Sequence, residues 1–164
     1  MKWKIVLCFL LAAVFSFNAL QALPLSQGFD KAAFYRTMKD GNVDDIDNEL
    51  SRVDASSFSE KDAYKGTLQM KKAGMIKKAK DKMDLFKSGR IKLETALHGD
   101  PNNTEYRFLR LMIQEHAPKV TKYKSQLDED SEYIKKNYNK LSPDVQEIVK
   151  DYSKSSAILH PEDF

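Results

Sequence analysis

From residue 29 onward, apolar residues recur at helical spacing along the chain. Val43, Ile46, Leu50 and Val53 follow one another at intervals of 3, 4 and 3, which is one face of an α-helix. Ile76, Ala79, Met83, Phe86, Arg90, Leu93 and Leu97 extend the same alternation into a longer stripe. Arg90 is its one polar interruption, and lysines occupy the opposite face. Shorter stripes follow at Tyr106, Leu109, Met112 and Ile113, at Val120, Tyr123 and Leu127, at Ile134, Tyr138 and Leu141, and at Val145, Ile148 and Tyr152. No run of alternating β-branched residues and no Asn-Gly hairpin pair is present, so strands are not expected. Short turns between helices of this length predict an all-α fold of antiparallel helical hairpins.

Capping chemistry places the boundaries. The first helix is expected from Phe29-Asp30 to Lys39, with Asp40-Gly41 as its stop, and Asn42 caps the second. Asp44, Asp45 and Asp47 then complement the dipole at the start of that helix. Ser57-Phe58-Ser59-Glu60 has the capping-box pattern and starts a helix that Gly74 should stop. Gly66 in its interior costs about 1 kcal/mol against alanine and suggests close approach by another helix. Gly89 is expected to bend or weaken the long helix that His98-Gly99-Asp100-Pro101 ends. Asn102-Asn103 turns into the next helix, which runs to Ala117. Pro118 is expected to begin a further helix through Leu127, interrupted by Asp128–Asp130. Ser142-Pro143-Asp144 opens the last helix, and His160-Pro161 marks a loose tail.

The N-terminus reads differently. Lys2 and Lys4 precede an apolar run from Ile5 to Phe17, which is short for a membrane span of about 20 residues and matches a signal peptide. Ala22 is the expected cleavage position. The expected organisation is therefore a signal peptide over 1–22, a linker over 23–28, a helical domain over 29–158 and a tail over 159–164. The expected destination is the periplasm or the outside of the cell, the alternative being an uncleaved N-terminal membrane anchor. Cys8 lies inside the apolar run, so the mature chain would have no thiol.

The whole chain carries 27 basic and 24 acidic side chains, a net +3 that gives no drive toward nucleic acid. His98, His116 and His160 are not spaced as metal ligands, and Asp128-Glu129-Asp130 lacks the glycine and distant glutamate of a calcium loop. No nucleotide loop, nucleophile elbow or dinucleotide fingerprint is present. Catalytic residues, metal and cofactor are accordingly not expected. Two surface features remain. Tyr106, Arg107 and Arg110 form a set suited to a partner's carboxylate, or to Glu94 or Glu105 within the chain. Lys77, Lys78, Lys80 and Lys82 form a basic stretch able to touch an anionic surface, such as lipid headgroups.

Phe86-Lys87-Ser88-Gly89-Arg90, Leu93-Glu94-Thr95-Ala96-Leu97 and Asp100-Pro101-Asn102-Asn103-Thr104-Glu105-Tyr106 together resemble a tetratricopeptide-repeat junction over residues 86–113. The segment Glu105-Tyr106-Arg107-Phe108-Leu109-Arg110 is also similar to a group of uncharacterised secreted bacterial proteins. The resemblance covers about one repeat, and no 34-residue period extends along the chain. It implies hairpins packed as a small bundle or short solenoid, and a protein-interaction module. An exported non-enzymatic module with a protein partner is thus the leading expectation. An envelope small-molecule binder or enzyme with a dispersed site, and a membrane-surface protein using the lysine face, are the alternatives.

Overall fold

A computed structural model describes residues 29–164, and the expected signal peptide with its cleavage position Ala22 and the expected linker lie outside that range. Among the described residues there are seven α-helices and no strand: α1 (Lys31–Asp40), α2 (Val43–Ala55), α3 (Lys61–Met75), α4 (Ala79–Gly99), α5 (Thr104–His116), α6 (Leu127–Asn137) and α7 (Pro143–Ser153). The chain is all-α and forms a small bundle. None of these helices is long and apolar enough to cross a membrane.

Local chemistry starts several helices as the sequence predicts. The Asn42 side chain accepts from the backbone N–H groups of Asp44 and Asp45, and the Asp45 carboxylate accepts from Asn42 N–H, which closes a capping box. Asn103 caps α5 by accepting from Tyr106 N–H. Pro143 stands in the first turn of α7, where its missing N–H is not needed.

The hairpin of α3 and α4 is the most extensive helix pair in the bundle. Gly66 and Gly89 meet at its centre. A Cβ on Gly66 would stand 2.5 Å from the Gly89 carbonyl oxygen, and a Cβ on Gly89 would stand 2.5 Å from the Gly66 carbonyl oxygen. The close approach expected at Gly66 is therefore real. Gly89 does not bend α4 but takes the buried position of the stripe, while its neighbour Arg90 turns outward over the Tyr123 ring. Replacing Gly66 by Ala should lower stability by about 1–3 kcal/mol, because the obstacle is backbone that cannot rotate away. Gly74→Ala should raise it by up to about 1 kcal/mol, since a Cβ there meets nothing. Paired thermal melts decide this; shifts of the same sign for both variants would count against the close packing.

Across this hairpin lies α5, whose residues Phe108 to Gln114 are all buried. A helix buried on every side is the centre of a bundle rather than its surface. Phe34, Ile46, Leu68, Leu93, Phe108, Leu109, Leu111 and Ile134 are fully inaccessible around it, each stabilising the fold by roughly 1.5–3 kcal/mol of apolar transfer. The Glu105 carboxylate joins three helices, accepting from Lys31 Nζ at 2.6 Å, Tyr64 Oη at 2.7 Å and Tyr35 Oη at 3.0 Å.

Several boundaries differ from expectation. The N-cap of α3 is Glu60, which makes no side-chain cap bond, and the helix starts at Lys61; just before it Phe58 stacks on Phe29 with centroids 4.3 Å apart. Gly74 does not stop α3, because its dihedrals stay on the negative side of φ and the helix runs one residue further. Ile76 is extended between α3 and α4 rather than part of the α4 stripe. No helix spans Pro118 to Leu127. That stretch is a 3-10 turn over Lys119–Thr121 followed by Lys122 in the left-handed region at φ 48°, which leaves Val120 exposed. Asp128, Glu129 and Asp130 do not interrupt a helix but form the first turn of α6, where the helix dipole favours carboxylates. The segment 159–164 is not a loose tail: Leu159 is fully buried, Lys135 pairs with Asp163, and the Phe164 ring packs on Tyr138.

Candidate functional site

Tyr106, Arg107 and Arg110 stand together on α5, but the structure puts them at an internal joint rather than on a free face. Arg110 is buried between α4 and α6. Its Nε and Nη2 donate to the two oxygens of Asp130 at 2.6 and 2.8 Å, and its Nη1 donates to Glu94 at 3.1 Å. Arg107 donates from Nη1 to Asp130 and Glu129, and from Nε to the Pro101 carbonyl. Its guanidinium also lies 4.2 Å from the Tyr133 ring centroid. The other oxygen of Glu94 accepts from the buried Tyr123 hydroxyl. Of the two uses expected for this set, the internal pairing of Arg110 with Glu94 is formed; Asp130 and Glu129 also accept from the two guanidinium groups, and Tyr106 is buried.

Lys77 and Lys78 lie in the α3–α4 turn, and Lys80 and Lys82 in the first turn of α4. Lys77, Lys78 and Lys80 are exposed, whereas Lys82 is half-buried at the edge of a cleft. The only ion pair among the four is Lys78 with Asp81 at 3.4 Å, among the described residues.

That cleft is the feature the sequence did not disclose. It has a volume of about 1190 Å³ and runs between α1, the C-terminal half of α3, the start of α4, the end of α5 and α7. Met38, Met70, Met75, Met83 and Met112 all line it, which is every methionine among the described residues. Phe86, Ile113 and Ile148 complete the apolar wall. Methionine is unbranched and polarisable, so such a wall can adapt to differently shaped apolar surfaces. Met83, Phe86, Met112, Ile113 and Ile148 are legible in the sequence only as ordinary members of helical stripes, and Met38 and Met75 stand in none of them. The signal that could have found the cleft is the spread of methionine over four helices that pack on one another.

The rim carries both signs of charge. Lys39 and Asp151 pair at 2.7 Å and link α1 to α7, and Lys154 joins the same carboxylate. Lys71 is half-buried in the wall and makes no hydrogen bond or ion pair among the described residues; burial pushes its pKa below the usual lysine value, partly opposed by the charge of Asp40. At the far end, Tyr152 Oη donates to Glu115 at 2.6 Å and lies 3.4 Å from His116 Nε2. The trio resembles an acid–base relay only in composition. Burial, together with Glu115, holds the Tyr152 phenol firmly protonated, the reverse of an activated nucleophile. Glu115 also accepts from the Ser156 hydroxyl and Ala157 N–H, so its work is to fasten the C-terminal segment to α5. Among the described residues, no group of three or more His, Asp or Glu is placed to hold a metal ion. No family model, curated protein or solved structure matches this chain.

Proposed function

We propose that this chain is an exported, non-enzymatic helical interaction module, active in the periplasm or outside the cell, that takes an apolar segment of a protein partner into the methionine-lined cleft. The observation that carries the reading is the gathering of Met38, Met70, Met75, Met83 and Met112 on one concave surface. Flexible methionine walls suit grooves that receive the apolar face of a helical segment. The cleft also exceeds the roughly 300–1000 Å³ typical of small-molecule pockets. Its mixed-sign rim, with Arg36, Lys82 and Lys150 beside Asp144 and Glu147, suits a peptide whose flanks carry both charges. The tetratricopeptide-like junction agrees with this use, since such hairpins serve as interaction surfaces.

The test uses protein recovered from the periplasm or medium, with Leu23 expected at its N-terminus, and selection from a random peptide library. Enriched peptides should share apolar residues at helical spacing. Their affinity should fall by at least about tenfold for Met83→Glu, because a buried apolar contact of roughly 1.5–3 kcal/mol is lost. Peptides that bind wild type and Met83→Glu equally, or a selection that enriches no family, would overturn the cleft as the binding surface. Material that retains Met1 would count against export.

A further inference from the structure

We propose that the α3–α4 turn is a docking surface for an anionic lipid bilayer, adjoining the cleft and sharing Met75 and Lys82 with its rim. Residues 71–87 hold seven lysines against two aspartates, a net +5 in a chain whose total is +3. The rest of the chain is therefore net −2, so positive charge is concentrated in this turn and its flanks. Neighbouring elements offset part of it: Asp47 of α2 pairs with Lys72, and Asp40 of α1 acts on Lys71. Lys82 lines the cleft, whose rim also holds Asp144 and Glu147, and the remaining Lys77, Lys78, Lys80 and Lys87 with Asp81 and Asp84 leave a net +2.

The opposite end of the hairpin is acidic. Glu60 and Asp62 stand on either side of Lys61 at the start of α3, and Asp100 follows α4, so this end is net −2. The two ends are about 22 Å apart, from 15 residues of α3 at 1.5 Å each. A negative plane therefore attracts the turn and repels the other end, which fixes orientation as well as contact.

The turn is also apolar at its tip, and this selects lipid over other polyanions. Met75 is 40% exposed, and Ile76 follows it in extended conformation. Beside them Ile76 and Leu85 line a shallow hollow edged by Lys77 and Lys78. Apolar side chains set among lysines match a bilayer interface, where methylenes enter the acyl boundary and ammonium groups stay with the phosphates. A nucleic-acid backbone would use the lysines and leave Met75 and Ile76 in water.

Vesicle co-sedimentation tests this with the secreted protein and two lipid compositions, phosphatidylcholine alone and phosphatidylcholine with about one-third phosphatidylglycerol. Binding should require the anionic lipid and should weaken at least tenfold between about 0.05 and 0.5 M salt. The combined variant Lys77→Gln, Lys78→Gln, Lys80→Gln should bind about a hundredfold more weakly, at roughly fivefold per lysine. All three side chains are exposed, so its circular dichroism and melting should stay unchanged. Met75→Ser should weaken binding without altering its salt dependence. No binding to anionic vesicles, equal binding to neutral ones, insensitivity to salt, or wild-type binding by the triple variant would each overturn the proposal. Ile148→Glu, in the cleft wall on α7 and outside the basic segment, should weaken peptide binding and leave vesicle binding intact, so the two readings fail or succeed separately.

Discussion

Asp130→Asn should remove about 3–5 kcal/mol of unfolding free energy, a large part of the 5–15 kcal/mol that holds a domain of this kind. Asp130 is fully buried and accepts from three guanidinium N–H groups, two of Arg110 and one of Arg107. An amide offers one acceptor oxygen in place of two, and its NH2 group confronts donors. Arg110 then keeps only Glu94, at 3.1 Å, for a charge that remains out of water. The penalty comes from the abandoned cation more than from the lost attraction. A double variant, Asp130→Leu with Arg110→Met, removes both charges and should recover much of the loss. Urea unfolding of the single and double variants measures the coupling. A loss below about 1 kcal/mol for Asp130→Asn would show that the joint of α4, α5 and α6 stands without its ion pair.

Alkaline unfolding should be abrupt and should begin just above pH 10. Tyr35 and Tyr64 donate to Glu105, and Tyr123 donates to Glu94. Burial foremost, and then the adjacent carboxylate, raises all three phenol pKa values well above 10. The unfolded chain loses these protons near pH 10 while the folded chain keeps them, so the folded state binds more protons and stability falls as pH rises. The contribution is complete below the unfolded value. With Tyr152, held protonated in the same way by burial and Glu115, four such groups together cost about 6 kcal/mol at pH 11 and about 8 kcal/mol at pH 11.5. Tyrosinate absorbance and helical circular dichroism should therefore change together. Titration of these phenols near pH 10 with the helices intact would refute the assignment. Tyr123→Phe should reduce the steepness by about one quarter.

What the sequence disclosed was chemistry whose partner lies within one turn. The Asn42 and Asn103 caps and Pro143 need only the next three residues to act, and all three do so. The stripe at Tyr106, Leu109, Met112 and Ile113 marked only one face of α5, whereas every residue from Phe108 to Gln114 is buried. The misplaced elements depended on distant residues. Asp128–Asp130 obeys one local rule either as a break or as a helix start, and what decides is Arg110, 20 residues earlier, which holds Asp130 in the interior. The arginine cluster was visible for the same reason that its partner was not: spacing along α5 is local, but the register of α6 against it is not. Phe58, just before α3, stacks on a ring 29 residues away, a contact that spacing along the chain does not show. A cleft is the hardest feature to read, because a helical stripe looks the same whether another helix covers it or it is left open.

The contact of Gly66 with Gly89 also limits how this sequence can drift over generations. A substitution in a core is often rescued by a second that makes room for it, but here each glycine faces a carbonyl oxygen of the other helix. No change of side chain at one position opens space at the other, so neither can vary first. A saturation library covering α3 and α4 should leave these two columns almost empty while Gly74 and the outward lysines fill freely. Two glycines set 23 residues apart, followed by the Glu94, Arg110 and Asp130 spacing, are thus the inheritance by which a distant descendant of this hairpin would be known.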